Sequence, residues 1–209
     1  MIRVLIADDH AIVRKGLRQL LIEEYPSATI EEVGDSESLM NKAMQGSWDV
    51  VICDLSMPGR SGLDALRQIK QSAPSLPVLI MSMHPEDQYA LRVLKAGASG
   101  YLNKESIHDE VIRAIRTVLL GKKFITPSIA ERLAEAFDPE STAQPHEILS
   151  DREFDVFKLI ATGKSVSEIA QQLSLSVTTV STYRARVLDK MKLKSNADLT
   201  RYALEKSLI

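Results

Sequence analysis

The first 120 residues alternate short apolar runs with segments whose apolar residues recur at helical spacing, such as Leu63, Leu66 and Ile69. The apolar runs are continuous, which is typical of strands buried on both faces. They are Val4–Ala7, Thr29–Val33, Val50–Asp54, Val78–Ser82 and Gly100–Leu102. Five repeats of strand then helix predict an α/β, doubly wound fold around a five-stranded parallel sheet.

The pattern changes after Gly121, which is placed to end the fifth helix. A shorter helical segment runs from Pro127 to about Phe137, and a polar tract with two prolines, Asp138–Pro145, has the composition of a linker. From Leu149 onward nothing resembles a strand. Four short helices are predicted there, with Ser150, Ser165, Ser176 and Ser195 as N-caps. We therefore expect an α/β domain over 1–121, a linker with a short helix over 122–147, and an all-α, four-helix domain over 148–209.

Charge separates the two halves more clearly than composition does. The chain has 209 residues, of which 44% are hydrophobic and 26% charged, as in an ordinary globular protein. The net charge of −2 conceals 10 basic and 7 acidic residues from Leu149 to the end, against 16 basic and 21 acidic before it. The acidic half favours cations or phosphate chemistry at carboxylates, and the basic half favours a polyanion.

Two further features limit the possible compartments. Cys53 is the only cysteine, so it cannot form an internal disulfide, and we interpret it as a small buried hydrophobe. The first residues, Met1–Ala7, are soon followed by acidic residues and contain no long apolar stretch. Neither a signal peptide nor a membrane span is expected there. We expect a cytoplasmic protein with no membrane partner.

Acidic residues follow two of the predicted strands. Asp8 and Asp9 come directly after the first strand, and Asp54 closes the third. The carboxyl ends of central parallel strands meet at the topological switch point, where ligands bind. Three carboxylates at one place repel one another unless a cation lies among them, and oxygen ligands suit Mg²⁺. The sequence therefore predicts a magnesium site.

A hydroxyl and an ammonium group are expected at the same edge. Ser82 ends the fourth strand and Lys104 follows the fifth. Together with the carboxylates they supply what phosphoryl transfer to an aspartate requires: a nucleophile, a metal to spread charge, and donors for the phosphoryl oxygens.

This part of the chain resembles the receiver domain of two-component response regulators, a flavodoxin-like fold. The resemblance lies in Ile6–His10, Asp54–Gly59, Ser82 and Tyr101–Lys104, in the order and spacing of that family. It covers about residues 1–120. A glutamate, Glu105, stands where the family commonly has proline after the lysine.

The resemblance implies a role for each matching residue. Asp54 would accept a phosphoryl group from a sensor histidine kinase. Asp9, Asp54 and the backbone carbonyl of Ser56 would bind Mg²⁺, and Asp8 would act mainly through water. Lys104 and Ser82 would contact the phosphoryl group. Tyr101 would be an aromatic switch that turns inward when Ser82 is pulled toward the phosphate.

None of the four histidines has the spacing of a zinc site. We interpret His10 as a local hydrogen-bonding residue rather than a metal ligand. His84 follows Ser82 by two residues, so it either borders the phosphorylation site, where it would tune the access of water, or serves no such role. His108 and His146 are expected at the surface.

The C-terminal helices form a predicted helix-turn-helix. Two short helices begin after Ser150 and Ser165, and a longer one, Val177–Met191, follows a small turn. The non-core positions of the longer helix carry hydroxyls, small side chains and cations, which suit the major groove and phosphates. They are Thr178, Thr179, Ser181, Thr182, Tyr183, Arg184, Ala185 and Arg186, followed by Lys190, Lys192 and Lys194.

This half is similar to the LuxR-type helix-turn-helix of the NarL/FixJ subfamily, across about residues 148–209. The resemblance implies that Ser181, Thr182 and Ala185 face the bases. The DNA backbone would be held by Thr178, Thr179, Arg184, Arg186 and Lys194. Tyr183 replaces the usual histidine, so its contact stays open between phosphate and base. Leu199, Tyr202 and Ala203 would pair two such domains in a dimer.

The sequence thus predicts a transcriptional response regulator that is not an enzyme. Its partners would be a histidine kinase, promoter DNA with inverted or direct half-sites, RNA polymerase, and a second copy when active. Two routes of control stay open: the unphosphorylated receiver covers the recognition helix, or phosphorylation drives dimerisation. The rival functions are a phosphohydrolase, a ligand-sensing regulator of the quorum type, and a receiver that switches without phosphate.

Overall fold

The computed structural model describes residues 1–57, 61–136 and 144–209. It contains two compact units, Met1–Ala134 and Glu135–Ile209. Pro58 and Gly59 of the resembling motif, and Phe137–Ala143 of the expected helix end and linker, lie outside the described residues. In the described residues, no helix combines the length and apolar character that crossing a membrane requires.

The first unit alternates strands and helices, as the apolar runs predict. Its five strands are all parallel and lie in the order β2-β1-β3-β4-β5. The elements are β1 (Arg3–Ala7), α1 (Ala11–Glu24), β2 (Thr29–Val33), α2 (Ser36–Gln45), β3 (Val50–Asp54), α3 (Gly62–Ser72), β4 (Val78–Ser82), α4 (Glu86–Lys95), β5 (Gly100–Asn103), α5 (Ile107–Leu119) and α6 (Pro127–Ala136). The predicted doubly wound sheet is confirmed.

The central strands are apolar because helices cover both faces of the sheet. Every residue of β3 and β4 is buried, and Cys53 is fully buried, as expected of a small hydrophobe. The apolar stripe of α1 packs onto the sheet through Leu17 and Leu21. Ile12 also has helical spacing with this stripe, but its side chain is 82% exposed because it lies in the first turn of α1.

The first unit extends beyond Gly121, which adopts a left-handed φ of 74° just after α5. The N–H of Phe124 donates to the Ser99 carbonyl at 2.8 Å, and Phe124 belongs to the hydrophobic core of this unit. Ile129 of α6 is buried as well. The prediction of a linker from residue 122 is therefore corrected: burial of these two apolar side chains places residues 122–134 with the first unit.

The second unit contains the four predicted helices, preceded by a short 3-10 helix, Pro145–Ile148. They are α7 (Asp151–Ala161), α8 (Val166–Gln172), α9 (Val177–Met191) and α10 (Asn196–Glu205). All four predicted serine N-caps are confirmed. Each is followed three residues later by a backbone or side-chain partner that fixes the start of its helix.

His146 corrects an expectation in this unit. His108 is exposed as expected, but His146 is buried. Its Nδ1 lies 2.9 Å from the Tyr202 hydroxyl, and its ring packs near those of Phe154 and Tyr202. The 3-10 helix that begins at Pro145 places this ring against α7 and α10, so His146 belongs to the core of the unit rather than to its surface.

Candidate functional site

The carboxyl ends of β1 and β3 form the centre of the site. These strands are neighbours in the sheet, but β2 lies on the outer side of β1, so the strand order reverses between them. Asp8 follows β1 directly and Asp54 is the last residue of β3; both are buried. Asp9 and His10 reach solvent. The predicted acidic residues therefore meet at the topological switch point, where open α/β sheets bind ligands.

Lys104 joins the two buried carboxylates. Its Nζ lies 2.7 Å from Asp8 Oδ2 and 2.9 Å from Asp54 Oδ2, and its side chain is only 9% exposed. The backbone N–H of Lys104 donates to the Ser82 carbonyl at 2.9 Å, which continues the pairing of β5 with β4. The register of β5 against β4 therefore positions the Lys104 ammonium group beside the carboxylates of Asp8 and Asp54.

The electrostatics of the site follow from its burial. Burial raises the pKa of Asp54 above its ordinary value, although hydrogen bonding and charge from Lys104 act in the opposite direction. For Lys104, burial alone would lower the pKa, but hydrogen bonds with Asp8 and Asp54 outweigh it and raise the pKa. The ammonium group therefore stays charged, and one cation faces two buried acids and the exposed Asp9.

The donor set fits a hard divalent cation. Ligand atoms of Asp8, Asp9, His10 and Asp54 all lie within 4.8 Å of one another. Carboxylate oxygens are the ligands that Mg²⁺ prefers, and a second positive charge would offset the excess of acid. His10 makes the local hydrogen bonds that were predicted for it: its backbone N–H donates to Asp8 Oδ1 at 2.8 Å, and its ring Nδ1 lies 2.7 Å from Asp9 Oδ1.

The backbone after Asp54 turns sharply beside the site. Ser56 is exposed there, and the Gly62 N–H donates to the Leu55 carbonyl at 2.9 Å. A Cβ on Gly62 would lie 2.0 Å from the Asp54 carbonyl oxygen, a distance that no side chain tolerates. Glycine at 62 therefore lets α3 begin directly against the phosphoacceptor candidate.

Ser82 and Tyr101 converge on the backbone of His84. The Ser82 hydroxyl, fully buried at the end of β4, accepts the His84 N–H at 3.0 Å. The Tyr101 hydroxyl donates to the His84 carbonyl at 2.7 Å, and the Tyr101 side chain is itself buried. The predicted switch tyrosine therefore points inward in this structure, and the loop between β4 and α4 is tied to both residues.

The His84 side chain lies beside the same site. Its Nε2 is 3.5 Å from the Ser56 hydroxyl, and its ring stacks on Tyr89 with centroids 4.6 Å apart. Of the two interpretations of His84, the structure favours the one that places it at the border of the site. Its position two residues after the strand end was the signal in the sequence.

In the second unit, α8 and α9 are joined by a four-residue turn in which Ser174 has a left-handed φ of 54°. Val180, Val187 and Met191 face the core of the unit. Five of the predicted contact residues on α9 are exposed on the opposite side, and Lys194 is exposed after the helix; the five are Thr178, Ser181, Thr182, Ala185 and Arg186. This is a helix-turn-helix whose long helix presents small side chains and cations outward.

Arg184 differs from the other predicted contacts. It lies four residues after Val180 and three before Val187, which places it on the inward stripe of α9, and it is half-buried. Its Nε donates to Asn196 Oδ1 at 2.7 Å, which links α9 to the first turn of α10. Sequence reasoning missed this contact with Asn196, and the contact of Arg184 with the DNA backbone stays a prediction.

Some hydroxyls of α9 are engaged within the helix. The Thr182 hydroxyl donates to the Thr178 carbonyl at 3.0 Å, and the Thr179 hydroxyl lies 2.7 Å from that of the N-cap, Ser176. Such local bonds compete with contacts to a ligand, although each hydroxyl keeps acceptor capacity. Tyr183 is half-buried rather than fully presented to solvent.

Lys190 is tied to the interior by a residue that sequence reasoning missed. Its Nζ lies 2.6 Å from Oε2 of Glu153, whose side chain is almost fully buried. The same Oε2 accepts the Ser150 N–H at 2.7 Å, so Glu153 completes a capping box on α7. The spacing Ser150-x-x-Glu153 was the available signal. Lys190 therefore joins the end of α9 to the start of α7.

The residues expected to pair two domains require a correction. Leu199 and Ala203 are fully buried and pack inside the second unit, where α10 lies against α7, and Tyr202 bonds to His146. The outer face of α10 carries Ala197, Arg201 and Leu204 instead, and Leu204 is 61% exposed. The apolar stripe that reads as a contact face from the sequence is the core face of the helix.

Comparison with known proteins assigns the family of each half. The model of the response regulator receiver domain matches residues 4–116, and the model of the bacterial regulatory proteins of the luxR family matches residues 147–203. The chain is a response regulator of the NarL/FixJ subfamily. Its two units are therefore a receiver domain and a LuxR-type DNA-binding domain.

Full-length relatives share both domains. The response regulator UvrY of Escherichia coli K12 is 36% identical over 209 residues, which are all of this chain and 96% of UvrY. The oxygen regulatory protein NreC of Staphylococcus carnosus is 38% identical, covering 99% of both chains. Among solved structures, RcsB of Salmonella enterica, bound to the promoter rprA in the presence of the phosphomimetic BeF3⁻, is 28% identical with a TM-score of 0.66, over 97% of this chain and 98% of RcsB.

Proposed function

We propose that a sensor histidine kinase phosphorylates this response regulator on Asp54, and that the phosphoryl group controls DNA binding and thereby transcription. The observation that carries the proposal is the placement of Lys104 Nζ 2.9 Å from Asp54 Oδ2 at the switch point of the sheet. A buried carboxylate that is paired with a buried ammonium and bordered by two further acids is a costly arrangement for stability alone. It is suited to receiving a phosphoryl group and a cation.

The proposed reaction is a single phosphoryl transfer. A carboxylate oxygen of Asp54 attacks phosphorus, the bond from phosphorus to the kinase histidine breaks, and the imidazole leaves with the electron pair of that bond. Mg²⁺, when bound, offsets the negative charge that gathers on the phosphoryl oxygens. Asp9, Asp54 and the carbonyl of Ser56 would hold the ion, and Asp8 would act through water.

Lys104 and Ser82 would receive the phosphoryl group. Lys104 is within reach because its ammonium already contacts Asp54, and hydrogen bonds to charged groups are the strong ones. The Ser82 hydroxyl accepts from His84 and keeps its own proton to donate to a phosphoryl oxygen. Tyr101 would hold the loop in the resulting position through its bond to the His84 carbonyl.

The long helix α9 would read DNA in the major groove. Ser181, Thr182 and Ala185 would face the bases. Thr178, Thr179, Arg186 and Lys194 would contact the backbone, where salt-dependent attraction to phosphates supplies affinity, and Tyr183 would contact either a phosphate or a base. RcsB, which is described as bound to promoter DNA in the presence of a phosphomimetic, supports promoter DNA as the partner and phosphorylation as the control.

Two copies would bind together on half-sites about one helical turn apart, inverted or direct. The exposed face of α10, with Ala197, Arg201 and Leu204, is the surface we propose for pairing, since the face with Leu199 and Ala203 is buried. Phosphorylation would either free α9 or assemble the pair, and RNA polymerase would be recruited or blocked at the promoter. All of these partners act in the cytoplasm, the compartment we propose.

Labelling with acetyl phosphate and Mg²⁺ tests the phosphoacceptor. We expect one phosphoryl group per chain in the wild type and none in Asp54→Asn. Glu37→Gln, which neutralises an exposed acid on α2, serves as the matched control and should label normally. Labelling that persists in Asp54→Asn would remove Asp54 from the proposal.

A phosphohydrolase would share these residues but release phosphate repeatedly. We propose that the aspartyl phosphate is a signal rather than an intermediate in turnover, because a LuxR-type DNA-binding domain follows the receiver on the same chain. Multiple turnover of a small phosphate ester by the wild type, lost in Asp54→Asn, would favour the enzyme instead.

A further inference from the structure

A partly buried hydrogen bond connects the start of α4 with the start of α6. Glu86 is the first residue of α4, and Thr126 directly precedes α6. The Thr126 hydroxyl donates to Glu86 Oε1 at 2.8 Å, and Thr126 is only 7% exposed. The same hydroxyl accepts the Ile129 N–H at 3.3 Å, so it also caps the first turn of α6.

One end of this contact is joined to the phosphorylation site by a short piece of backbone. Ser82 ends β4, and Glu86 begins α4 four residues later. Between them His84 gives its N–H to the Ser82 hydroxyl and its carbonyl to the Tyr101 hydroxyl. A displacement of the Ser82 hydroxyl toward a phosphoryl group on Asp54 therefore moves the backbone that immediately precedes Glu86.

The other end of the contact is joined to the DNA-binding domain by the chain itself. Residues 127–136 form α6, and the boundary between the two units falls near its end, after Ala134. Ile129 anchors its first turn in the core of the receiver domain. Any change in the capping of α6 acts on the segment that leads to the DNA-binding domain.

We propose that Glu86 and Thr126 are positioning residues that pass the state of the phosphorylation site to α6, and through it to DNA affinity. The proposal rests on phosphorylation of Asp54 as the controlling event. A hydrogen bond to a carboxylate suits this role because it is strong when made and weakens steeply with small displacements. This hydrogen bond allows two discrete arrangements of α6. In one, Glu86 holds the Thr126 hydroxyl that caps the helix, and in the other the hydrogen bond to Glu86 is broken.

The test measures a ratio for each variant: DNA affinity in the presence of acetyl phosphate and Mg²⁺, divided by DNA affinity in their absence. Glu86→Ala and Thr126→Val remove one partner each, whereas Glu86→Gln and Thr126→Ser keep an acceptor and a hydroxyl. Lys95→Ala, at the exposed far end of α4, is the matched control. Removal of either partner should reduce the ratio about three- to ten-fold, and the double variant Glu86→Ala/Thr126→Val should reduce it no further.

A second readout follows α6 without DNA. Hydrogen exchange at the amides of α6, including that of Ile129, should change on phosphorylation of the wild type but not of Glu86→Ala. Labelling of Asp54 should proceed normally in every variant, because none of these residues contacts the phosphoryl group. A residue that only stabilises the fold would change exchange equally in both states and would leave the ratio alone.

The outcomes separate this inference from the function on which it rests. Suppose that the wild type is labelled on Asp54 and that its DNA affinity changes on labelling. If Glu86→Ala and Thr126→Val then keep the wild-type ratio, the role of the contact is overturned and the proposed function stands. Additive losses in the double variant would also overturn it, since two independent effects do not describe one contact. If the DNA affinity of the wild type does not change on phosphorylation, both the proposed function and this inference are overturned.

Discussion

The receiver site and the recognition helix differ in how far the protein completes them by itself. At the receiver site, Asp8, Asp54 and Lys104 are buried and already paired at 2.7 and 2.9 Å. On α9 the proposed reading residues Ser181, Thr182 and Ala185 are exposed, and the partner that would order them is the DNA. The receiver site is preorganised for one reaction, whereas α9 provides a surface whose preference for a DNA sequence depends on the bases that it contacts.

This difference has an energetic consequence. Buried charges are strongly coupled, so removal of one member affects both stability and chemistry. Exposed side chains on a helix contribute little to folding, so their removal affects binding alone. Substitutions at the two regions should therefore separate cleanly into effects on unfolding and effects on DNA.

The largest effect is expected at the buried cation. Lys104→Gln leaves two buried carboxylates without their ammonium partner, so the free energy of unfolding should fall by about 3 kcal/mol when metal is chelated. Mg²⁺ should restore part of the loss, as should Asp54→Asn in the same chain. Urea unfolding with chelator or Mg²⁺ measures this, with Lys15→Gln on the exposed face of α1 as the control. Equal stability of Lys104→Gln and wild type under chelation would contradict a coupled buried site.

A smaller effect, confined to DNA, is expected on α9. Arg186→Ala should weaken binding about five-fold for every sequence and reduce the slope of log affinity against log salt by about 0.9, one phosphate contact. Arg184→Ala is the matched control on the same helix, because Arg184 is half-buried and bonded to Asn196. Anisotropy titrations over a range of salt compare the two slopes. The assignment of the two arginines fails if Arg184→Ala lowers the slope as much as Arg186→Ala.

The smallest effect concerns the ion pair that supports α9. Burial alone would raise the pKa of Glu153, but hydrogen bonds from Lys190 and Ser150 outweigh it and lower the pKa below the ordinary 4.5. The stabilisation is therefore present above pH 4.5 and is lost as the pH falls through the lowered value. Glu153→Gln keeps the capping box but removes the charge, so it should cost about 1 kcal/mol at neutral pH, because solvent screens the 39% exposed Lys190.

Unfolding of the wild type and of Glu153→Gln at several pH values measures this difference, with Glu205→Gln at an exposed position of α10 as the control. The gap between the two proteins should close in acid, where Glu153 is protonated. A gap that is independent of pH would show that packing, rather than charge, connects α7 with α9.

The same contrast explains what the sequence could predict. The five strands and the strand-end residues Asp8, Asp54, Ser82 and Lys104 follow from continuous apolar runs and from the rule that parallel strands end at one edge. The serine N-caps of the last four helices follow from local chemistry. These features depend on a few neighbouring residues or on topology, so one sequence is enough.

The corrected predictions depend on which side of an element faces the core. Leu199 and Ala203 have the spacing of a helix face, but spacing alone does not distinguish the core face from a pairing face. Residues 122–134 were assigned to a linker because nothing local reveals that Phe124 packs into a sheet formed by distant strands. His146 and the contact between Glu86 and Thr126 likewise join residues 56 and 40 positions apart.

The most direct measurement of the central claim is DNA affinity at fixed salt, with and without acetyl phosphate and Mg²⁺, for the wild type and Asp54→Asn. We predict that phosphorylation changes the affinity of the wild type at least about ten-fold, a coupling of about 1.4 kcal/mol, and leaves Asp54→Asn unchanged. An equal response of Asp54→Asn, or no response of the wild type, would contradict the account.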